Sequence, residues 1–197
     1  MFIKESGTVT VAAIILGSLL FFILGRFVSI PCGIPDTYIT LQYGVLAFAA
    51  AVFGPLAGAL IGLLGHFAVD YSGAVYYGWN LWWSWIISSA FFGGAMGFAN
   101  RKTVFSNDYL DIGGIVQFNV TQIIVNLISW VVLAPLLDVL LYGQLFEYVF
   151  KQGVISAGVN IITTAVLGSL LCIAYSSAVS SKSQSQSVTN NTENKND

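Results

Sequence analysis

The chain has 197 residues, of which 56% are hydrophobic and 8% are charged, with a formal net charge of −2 at pH 7. This composition, with a mean hydropathy of +0.81, excludes a disordered chain and a coiled coil. A slightly acidic chain with few cations also lacks the basic surface that nucleic-acid binding requires, so no nucleic acid is expected as a partner.

Charged residues are so sparse that they leave long uncharged stretches between them. A helix needs about 20 apolar residues to cross a bilayer, and each stretch is long enough for that. The stretches cover residues 6–25, 37–69, 71–100, 112–137 and 152–181. We therefore expect an all-α integral membrane protein surrounded by the lipid bilayer.

The second uncharged stretch is too long for one membrane-spanning helix. Gly54 and Pro55 interrupt it, and proline lacks an amide donor and clashes with the preceding helical turn. We expect a tight turn there between two short helices. The sequence thus predicts a bundle of six transmembrane helices at residues of about 8–27, 39–53, 55–71, 81–99, 113–134 and 152–174.

Lysine and arginine set the expected orientation, because cytoplasmic loops carry an excess of both. With six spans and the N-terminus inside, Lys4, Arg101, Lys102, Lys182 and Lys195 are cytoplasmic and only Arg26 and Lys151 are outside. Both termini are therefore predicted to be cytoplasmic. Residues 1–175 are expected to form the six-helix transmembrane domain, and the polar residues 176–197 a disordered cytoplasmic tail.

Small residues recur at four-residue spacing, which lets helices approach closely in a membrane. The third span has Gly58 and Gly62, and the fourth has Gly93 and Gly97. The first span has Ala13 and Gly17. Each set is typical of packing inside the bundle, and the pair in the first span is also typical of docking onto another membrane protein.

Ionisable residues inside a span are costly and are therefore candidates for function. Arg26 ends the first span, and His66 and Asp70 lie one helical turn apart on the third. The last two are either a buried pair that orients helices or ligand contacts. A metal site is not expected, because His66 is the only histidine and no cysteine lies near it.

Polar residues form stripes on the last two spans. Amides and hydroxyls of this kind either link helices, at about 0.6 kcal/mol each, or line a shared cavity, and both interpretations remain open. The stripes consist of Asn119, Gln122, Asn126 and Ser129 on the fifth span and Ser156, Asn160 and Thr163 on the sixth.

The segment between the third and fourth spans is unusually aromatic. An interfacial belt explains two or three such rings, and the excess predicts a stacking surface for a flat or ring-bearing ligand. Tyr38 lies in the first outer loop, where Pro31 and Pro35 stiffen the chain. This loop can cover the opening of a ligand site formed by the aromatic segment. The aromatic residues are Tyr71, Tyr76, Tyr77, Trp79, Trp82, Trp83 and Trp85.

Residues 8–175 resemble the substrate-binding S components of energy-coupling factor (ECF) vitamin transporters. The resemblance is to a bacterial subfamily placed beside the riboflavin S components, and it includes similarity to the cobalamin-specific member of lactobacilli. It is carried by Phe22-Ile-Leu-Gly-Arg-Phe27, Ile30-Pro-Cys-Gly-Ile-Pro35, Gln42-Tyr43, Phe53-Gly-Pro55, Gly65-His66 with Asp70, and Trp82-Trp-Ser-Trp85.

The resemblance implies a multi-pass protein of the bacterial cell membrane that binds a vitamin from outside. It implies a transmembrane coupling (T) subunit and two cytoplasmic ATPase subunits as partners. The ATPase subunits hydrolyse the ATP, so we expect this chain to be neither an enzyme nor bound to a cofactor. Ala13 and Gly17 match the positions that dock on the coupling subunit. A corrinoid such as cobalamin is the favoured ligand, and riboflavin is the next.

The candidate substrate-binding residues combine the polar and aromatic groups on the outer side. Two other functions stay open: a stand-alone carrier or channel, and an intramembrane enzyme that uses His66, Asp70 and Ser72. The enzyme is disfavoured because no second histidine or paired carboxylates accompany them. The candidates are Arg26, Tyr38, His66, Asp70, Tyr76, Tyr77, Trp79, Trp82, Trp83, Asn126 and Asn160.

Overall fold

The computed structural model describes residues 7–33, 37–101, 104 and 110–193, with side chains described as far as Ser181. Lys4, Pro35, Lys102 and Lys195, which entered the sequence analysis, lie outside the described residues. Within those ranges the chain forms six helices. They are α1 (Gly7–Phe27), α2 (Gln42–Phe53), α3 (Pro55–Tyr77), α4 (Trp83–Asn100), α5 (Ile112–Tyr142) and α6 (residues 146–193).

Both long helices contain one widened, π-helical segment. In α5 it is Leu127–Leu133, between α-helical Ile112–Asn126 and Ala134–Tyr142. In α6 it is Thr164–Gly168, between Phe146–Thr163 and Ser169–Glu193. Such segments are inserted residues that shift the phase of the helix beyond them. The residues after each segment therefore face directions that a regular helix would not give them.

A short hairpin connects α1 to α2. Strand β1 (Ile30–Pro31) pairs antiparallel with β2 (Tyr38–Ile39), so that Pro31 lies opposite Tyr38. Cys32 also donates its thiol to the carbonyl of Thr37 at 3.1 Å. The hairpin holds Tyr38 against the end of the bundle where α1 finishes and α2 begins.

The predicted turn between α2 and α3 is confirmed. Gly54 has a φ of +91°, a conformation that favours glycine, and Pro55 is the first residue of α3, where its missing N–H costs nothing. Four helices in the described ranges are long and apolar enough to cross a membrane: α1, α3, α5 and the first 36 residues of α6. An all-α membrane protein is thus confirmed, whereas the six-span count and the sides of the termini stay predictions.

Three helices are longer than the sequence predicted. α3 runs to Tyr77 and α5 to Tyr142, each ended by a left-handed glycine, Gly78 with φ +71° and Gly143 with φ +63°. The backbone of α6 stays helical to Glu193, through residues that were expected to form a disordered tail. No glycine or proline follows Gly168 to stop that helix.

The bundle is built around α2, which is enclosed by the other helices. Nine of its 12 residues are buried, from Gln42 to Ala51. By contrast, α1 lies at the outside and buries only Phe21. A Cβ atom placed on Gly17 would lie 2.8 Å from Ile61 Cδ1 of α3. Gly17 therefore packs inside the bundle, and half-buried Ala13 lies one turn before it; docking of this pair on a partner stays a prediction.

Helices α3 and α4 come closest together where glycines face each other. A Cβ atom on Gly58 would clash with the carbonyl oxygen of Gly93, and one on Gly93 with the carbonyl oxygen of Gly58. One turn along, Gly62 faces the backbone of Ser89 in the same way. Backbone contact of this kind is what holds helices together in lipid, where apolar burial contributes little.

We predict that Gly93→Ala destabilises the protein by about 1–3 kcal/mol, because the added methyl group forces α3 and α4 apart. The matched control is Gly94→Ala on the same helix, where the new methyl group meets Ala59 Cβ at an ordinary 3.5 Å. Thermal unfolding of the purified protein in detergent measures both. Equal melting temperatures for the two variants would contradict the glycine contact.

Candidate functional site

A cavity of about 610 Å³ opens at one end of the bundle. It is bounded by the C-terminal ends of α1, α3 and α5, the N-terminal ends of α2, α4 and α6, and the hairpin. Every helix thus contributes to it. Its size falls in the range of about 300–1,000 Å³ that is typical of small-molecule sites.

Eight of the 11 candidate residues chosen from the sequence line this cavity. They come from five separated parts of the chain, which the fold brings to one place. They are Arg26, Tyr38, His66, Asp70, Tyr77, Trp79, Trp82 and Asn160.

Three candidates lie outside the lining. Tyr76 is 78% exposed on the outer surface, and Trp83 is 45% exposed with its ring beside that of Phe67. Asn126 is fully buried, where it donates to Gln122 and accepts from the Trp130 indole at 2.8 Å. Asn126 therefore links side chains within α5, and none of the three is placed to contact a ligand in the cavity.

His66 and Asp70 form the polar wall between α3 and α4. His66 Nδ1 lies 2.5 Å from Ser89 Oγ, and Tyr43 OH lies 3.1 Å from the same oxygen. On the other side of the ring, His66 Nε2 lies 3.6 Å from Asp70 Oδ1. Asp70 Oδ2 accepts the backbone N–H of Trp82 at 3.0 Å. The network thus ties α2, α3 and α4 together.

The order Ser89–His66–Asp70 has the residue types of a catalytic triad but not its accessibility. Ser89 is fully buried and is absent from the cavity lining, so its hydroxyl cannot meet a substrate there. Ser72, the serine considered from the sequence, donates to the Val69 carbonyl of its own helix at 2.7 Å. A nucleophile must reach the reacting atom, so the network orients helices rather than performs catalysis.

Arg26 forms the rim of the cavity together with two aromatic rings. Its guanidinium carbon lies 4.6 Å from the centre of the Tyr77 ring and 5.1 Å from that of Trp79. A guanidinium stacked on rings keeps its N–H groups free in their own plane to bind an oxygen. Since Arg26 ends α1 and the rings belong to α3 and the loop after it, the contact closes one side of the mouth.

The lining also includes residues that were not among the binding candidates chosen from the sequence, and Gln42, Tyr43, Trp85 and Asp138 are four of them. Gln42 Oε1 is buried and has no hydrogen-bond partner among the described residues. Asp138 accepts from the Ser84 hydroxyl and, at 2.8 Å, from the Trp85 indole N–H. A signal for Asp138 existed, because it directly follows an apolar stretch. It was missed because the fifth span was expected to end at about residue 134.

The donor set does not suggest a metal centre. Among the described residues, no group of three or more histidine, cysteine, aspartate or glutamate side chains is placed to hold an ion. What the cavity offers is amides, hydroxyls, two carboxylates, one guanidinium and several rings. This combination is suited to binding a polar organic molecule with a ring system.

The chain is similar in sequence to known proteins. The family described as "ECF-type riboflavin transporter, S component" matches residues 6–177. The UPF0397 protein of Staphylococcus aureus strain JH9 is 43% identical over 169 residues, which cover 86% of this chain and 90% of that protein. The UPF0397 protein of strain Newman is 44% identical over the same shares. No solved structure matches the chain.

We predict that Ser89→Ala destabilises the protein by about 1–3 kcal/mol, because it leaves buried polar atoms of Tyr43 and His66 without their shared partner. Ser88→Ala is the matched control. Ser88 is equally buried, but its hydroxyl donates only to the Ser84 carbonyl of its own helix, and such a bond contributes little. Thermal unfolding compares the two, and an equal loss in both would contradict the shared network.

Proposed function

Since this chain belongs to the family of ECF-type riboflavin transporter S components, we propose that it is the substrate-binding subunit of a vitamin uptake system. It is a protein of the bacterial membrane, and its family consists of transporter components rather than enzymes. In the proposed function the cavity faces the outside of the cell and captures the vitamin there. ATP is hydrolysed by other subunits.

The observation that carries this proposal is the composition of the cavity. An apolar bundle places about 610 Å³ of space at one end and lines it with polar groups from every helix. Burying polar groups inside a membrane protein costs free energy, so such groups indicate a functional site. Gln42 illustrates this, because the residue lines the cavity while its buried Oε1 has no hydrogen-bond partner among the described residues.

The rings in the lining support a ligand with a flat ring system. Trp79, Trp82 and Trp85 line the cavity together with Tyr77 and Tyr148. Aromatic faces stack on flat rings whatever substituents those rings carry. The polar side chains among them then bind the polar edges of the ligand and fix its orientation.

The size of the cavity bears on which vitamin is bound. A flavin fits within about 610 Å³, whereas a corrinoid is several times larger and has to extend through the mouth. The volume therefore favours riboflavin, although the sequence analysis favoured a corrinoid. Both remain ligands to test, and the same titration distinguishes them.

The proposed partners are a transmembrane coupling subunit and two cytoplasmic ATPase subunits. The described residues form membrane helices and one short hairpin, and none of them provides a nucleotide-binding domain. A binding subunit of this kind depends on partner chains for energy. Uptake by this protein is accordingly proposed to require them.

We predict that Trp82→Ala weakens vitamin binding by about 5- to 150-fold, because a stacked ring contributes about 1–3 kcal/mol. Trp83→Ala is the matched control, since the neighbouring ring lies outside the cavity and its loss should change affinity less than about twofold, as for a residue without contact. Quenching of tryptophan fluorescence in a titration with riboflavin and with cobalamin measures both.

Two outcomes of that titration would count against the proposal. If the wild-type protein binds neither compound nor any other vitamin of a panel, the proposed function is wrong. If Trp83→Ala weakens binding as much as Trp82→Ala, the ligand lies outside the cavity described here.

We further predict that cells take up the vitamin through this protein only when the coupling and ATPase subunits are present. Uptake of labelled vitamin is measured in a strain that expresses this chain alone and in one that expresses the full set. A third strain carries an ATPase whose catalytic residue is replaced. Equal uptake in all three would instead support a stand-alone carrier.

A further inference from the structure

The first turn of α4 receives its hydrogen-bond partners from other helices. Its N-cap residue, Trp82, makes no side-chain capping bond within the described part of the chain, and free N–H groups at a helix start need acceptors. Asp70 of α3 accepts the N–H of Trp82 at 3.0 Å. The hydroxyl of Tyr142 in α5 accepts the N–H of Trp83 at 2.8 Å.

Asp138 and Tyr142 act on this turn from a single face of α5. They are four residues apart, which places them one above the other on a helix. Asp138 accepts from the Ser84 hydroxyl and from the Trp85 indole N–H. Tyr142 donates to the Leu81 carbonyl at 3.3 Å, and its ring meets that of Trp82 edge to face, with centroids 4.9 Å apart.

These contacts fix Trp82 and Trp85, two of the three tryptophans that line the cavity. Trp85 is held at its N–H by Asp138 and on its face by Trp130, whose ring is stacked at 5.7 Å with an interplanar angle of 14°. An indole ring rotates about two torsions, and an edge bond together with a stacked face leaves it one orientation. Trp82 is similarly restrained, by the Tyr142 ring and by the bond from its backbone to Asp70.

We infer that Asp138 and Tyr142 are positioning residues for ligand recognition, which hold Trp82 and Trp85 in the orientation that a ring-bearing ligand meets. This inference rests on the proposed function for the identity of the ligand. Asp138 is only 1% exposed, and each of its oxygens already accepts one hydrogen bond, from Ser84 and from Trp85. Asp138 therefore acts through Trp85 rather than by a bond of its own to the ligand.

A double-mutant cycle tests the role of Asp138. Asp138→Leu removes both acceptors and should weaken riboflavin or cobalamin binding at least about tenfold, the effect of losing one hydrogen bond to a charged group. In a Trp85→Phe background the indole N–H is absent, so Asp138→Leu should add less than about twofold. A loss that is equally large in both backgrounds would overturn the inference.

Two further variants keep the test valid if Asp138→Leu does not fold. Asp138→Asn keeps a carbonyl oxygen for the Trp85 indole and should bind within about threefold of wild type, because only the charge of the bond is lost. Tyr142→Phe keeps the ring against Trp82 but removes the hydroxyl bonds, and should weaken binding about fivefold. Wild-type affinity in Tyr142→Phe would remove Tyr142 from the proposal.

The matched control is Asp111→Leu, the same substitution as at Asp138, because leucine is a poor N-cap residue. Like Asp138, Asp111 is a carboxylate that accepts hydrogen bonds from the first turn of a helix, since it caps α5 by accepting the Gly114 N–H at 2.7 Å. It lies at the opposite end of α5 from the cavity. Its replacement should lower the melting temperature without changing affinity. An affinity loss there as large as in Asp138→Leu would show that general stability, not ring position, controls binding, and would overturn the inference.

A measurement without ligand separates this inference from the proposed function. The near-ultraviolet circular dichroism of tryptophan reports a ring held in a fixed orientation. Asp138→Leu should therefore reduce that signal in the wild-type background and leave it unchanged in the Trp85→Phe background. An unchanged signal in wild type would overturn the positioning role. Failure of the unmodified protein to bind any vitamin would instead contradict the proposed function, and the spectrum would still decide the role of Asp138.

Discussion

The backbone contact between α3 and α4 is the constraint on which the rest of the structure depends. Gly54, Gly58 and Gly62 recur every four residues along one face of α3, and they meet Gly97, Gly93 and Ser89 of the antiparallel α4 in the same register. Lipid supplies little hydrophobic force between helices, so the register is set by how closely the backbones fit. The next two positions of the same series on α3 are His66 and Asp70.

This series explains why the polar wall forms where it does. One turn past the last glycine contact, His66 lies beside Ser89, and one turn further Asp70 accepts the N–H of Trp82. The stripe therefore changes from glycine, where the two backbones touch, to side chains whose polar atoms bridge a wider space. A single four-residue repeat in α3 both closes one end of the bundle and furnishes the open end with hydrogen-bonding groups.

Features that depend on local periodicity could be predicted from the sequence, and features that depend on helix phase could not. The Gly54–Pro55 turn, the glycine stripes and the shared face of His66 and Asp70 follow from spacing alone. By contrast, Trp82 and Trp83 are neighbours, and only the rotation of α4 decides which one lines the cavity. The direction that Asp138 faces was harder still to predict, because the π-helical segment Leu127–Leu133 shifts the phase of the helix before it.

The bonds at the two sides of the cavity differ in strength. The wall formed by Trp82 and Trp85 is held by carboxylate hydrogen bonds, which contribute about 1.5–3 kcal/mol each. One side of the mouth is closed by the contact of Arg26 with Tyr77 and Trp79, residues that are 64% and 41% exposed. A cation–π contact at such a site contributes about 0.5–1 kcal/mol. Because the weaker contacts lie at the mouth, Arg26 can separate from its two rings at a lower cost in free energy than the loss of the hydrogen bonds that hold Trp82 and Trp85.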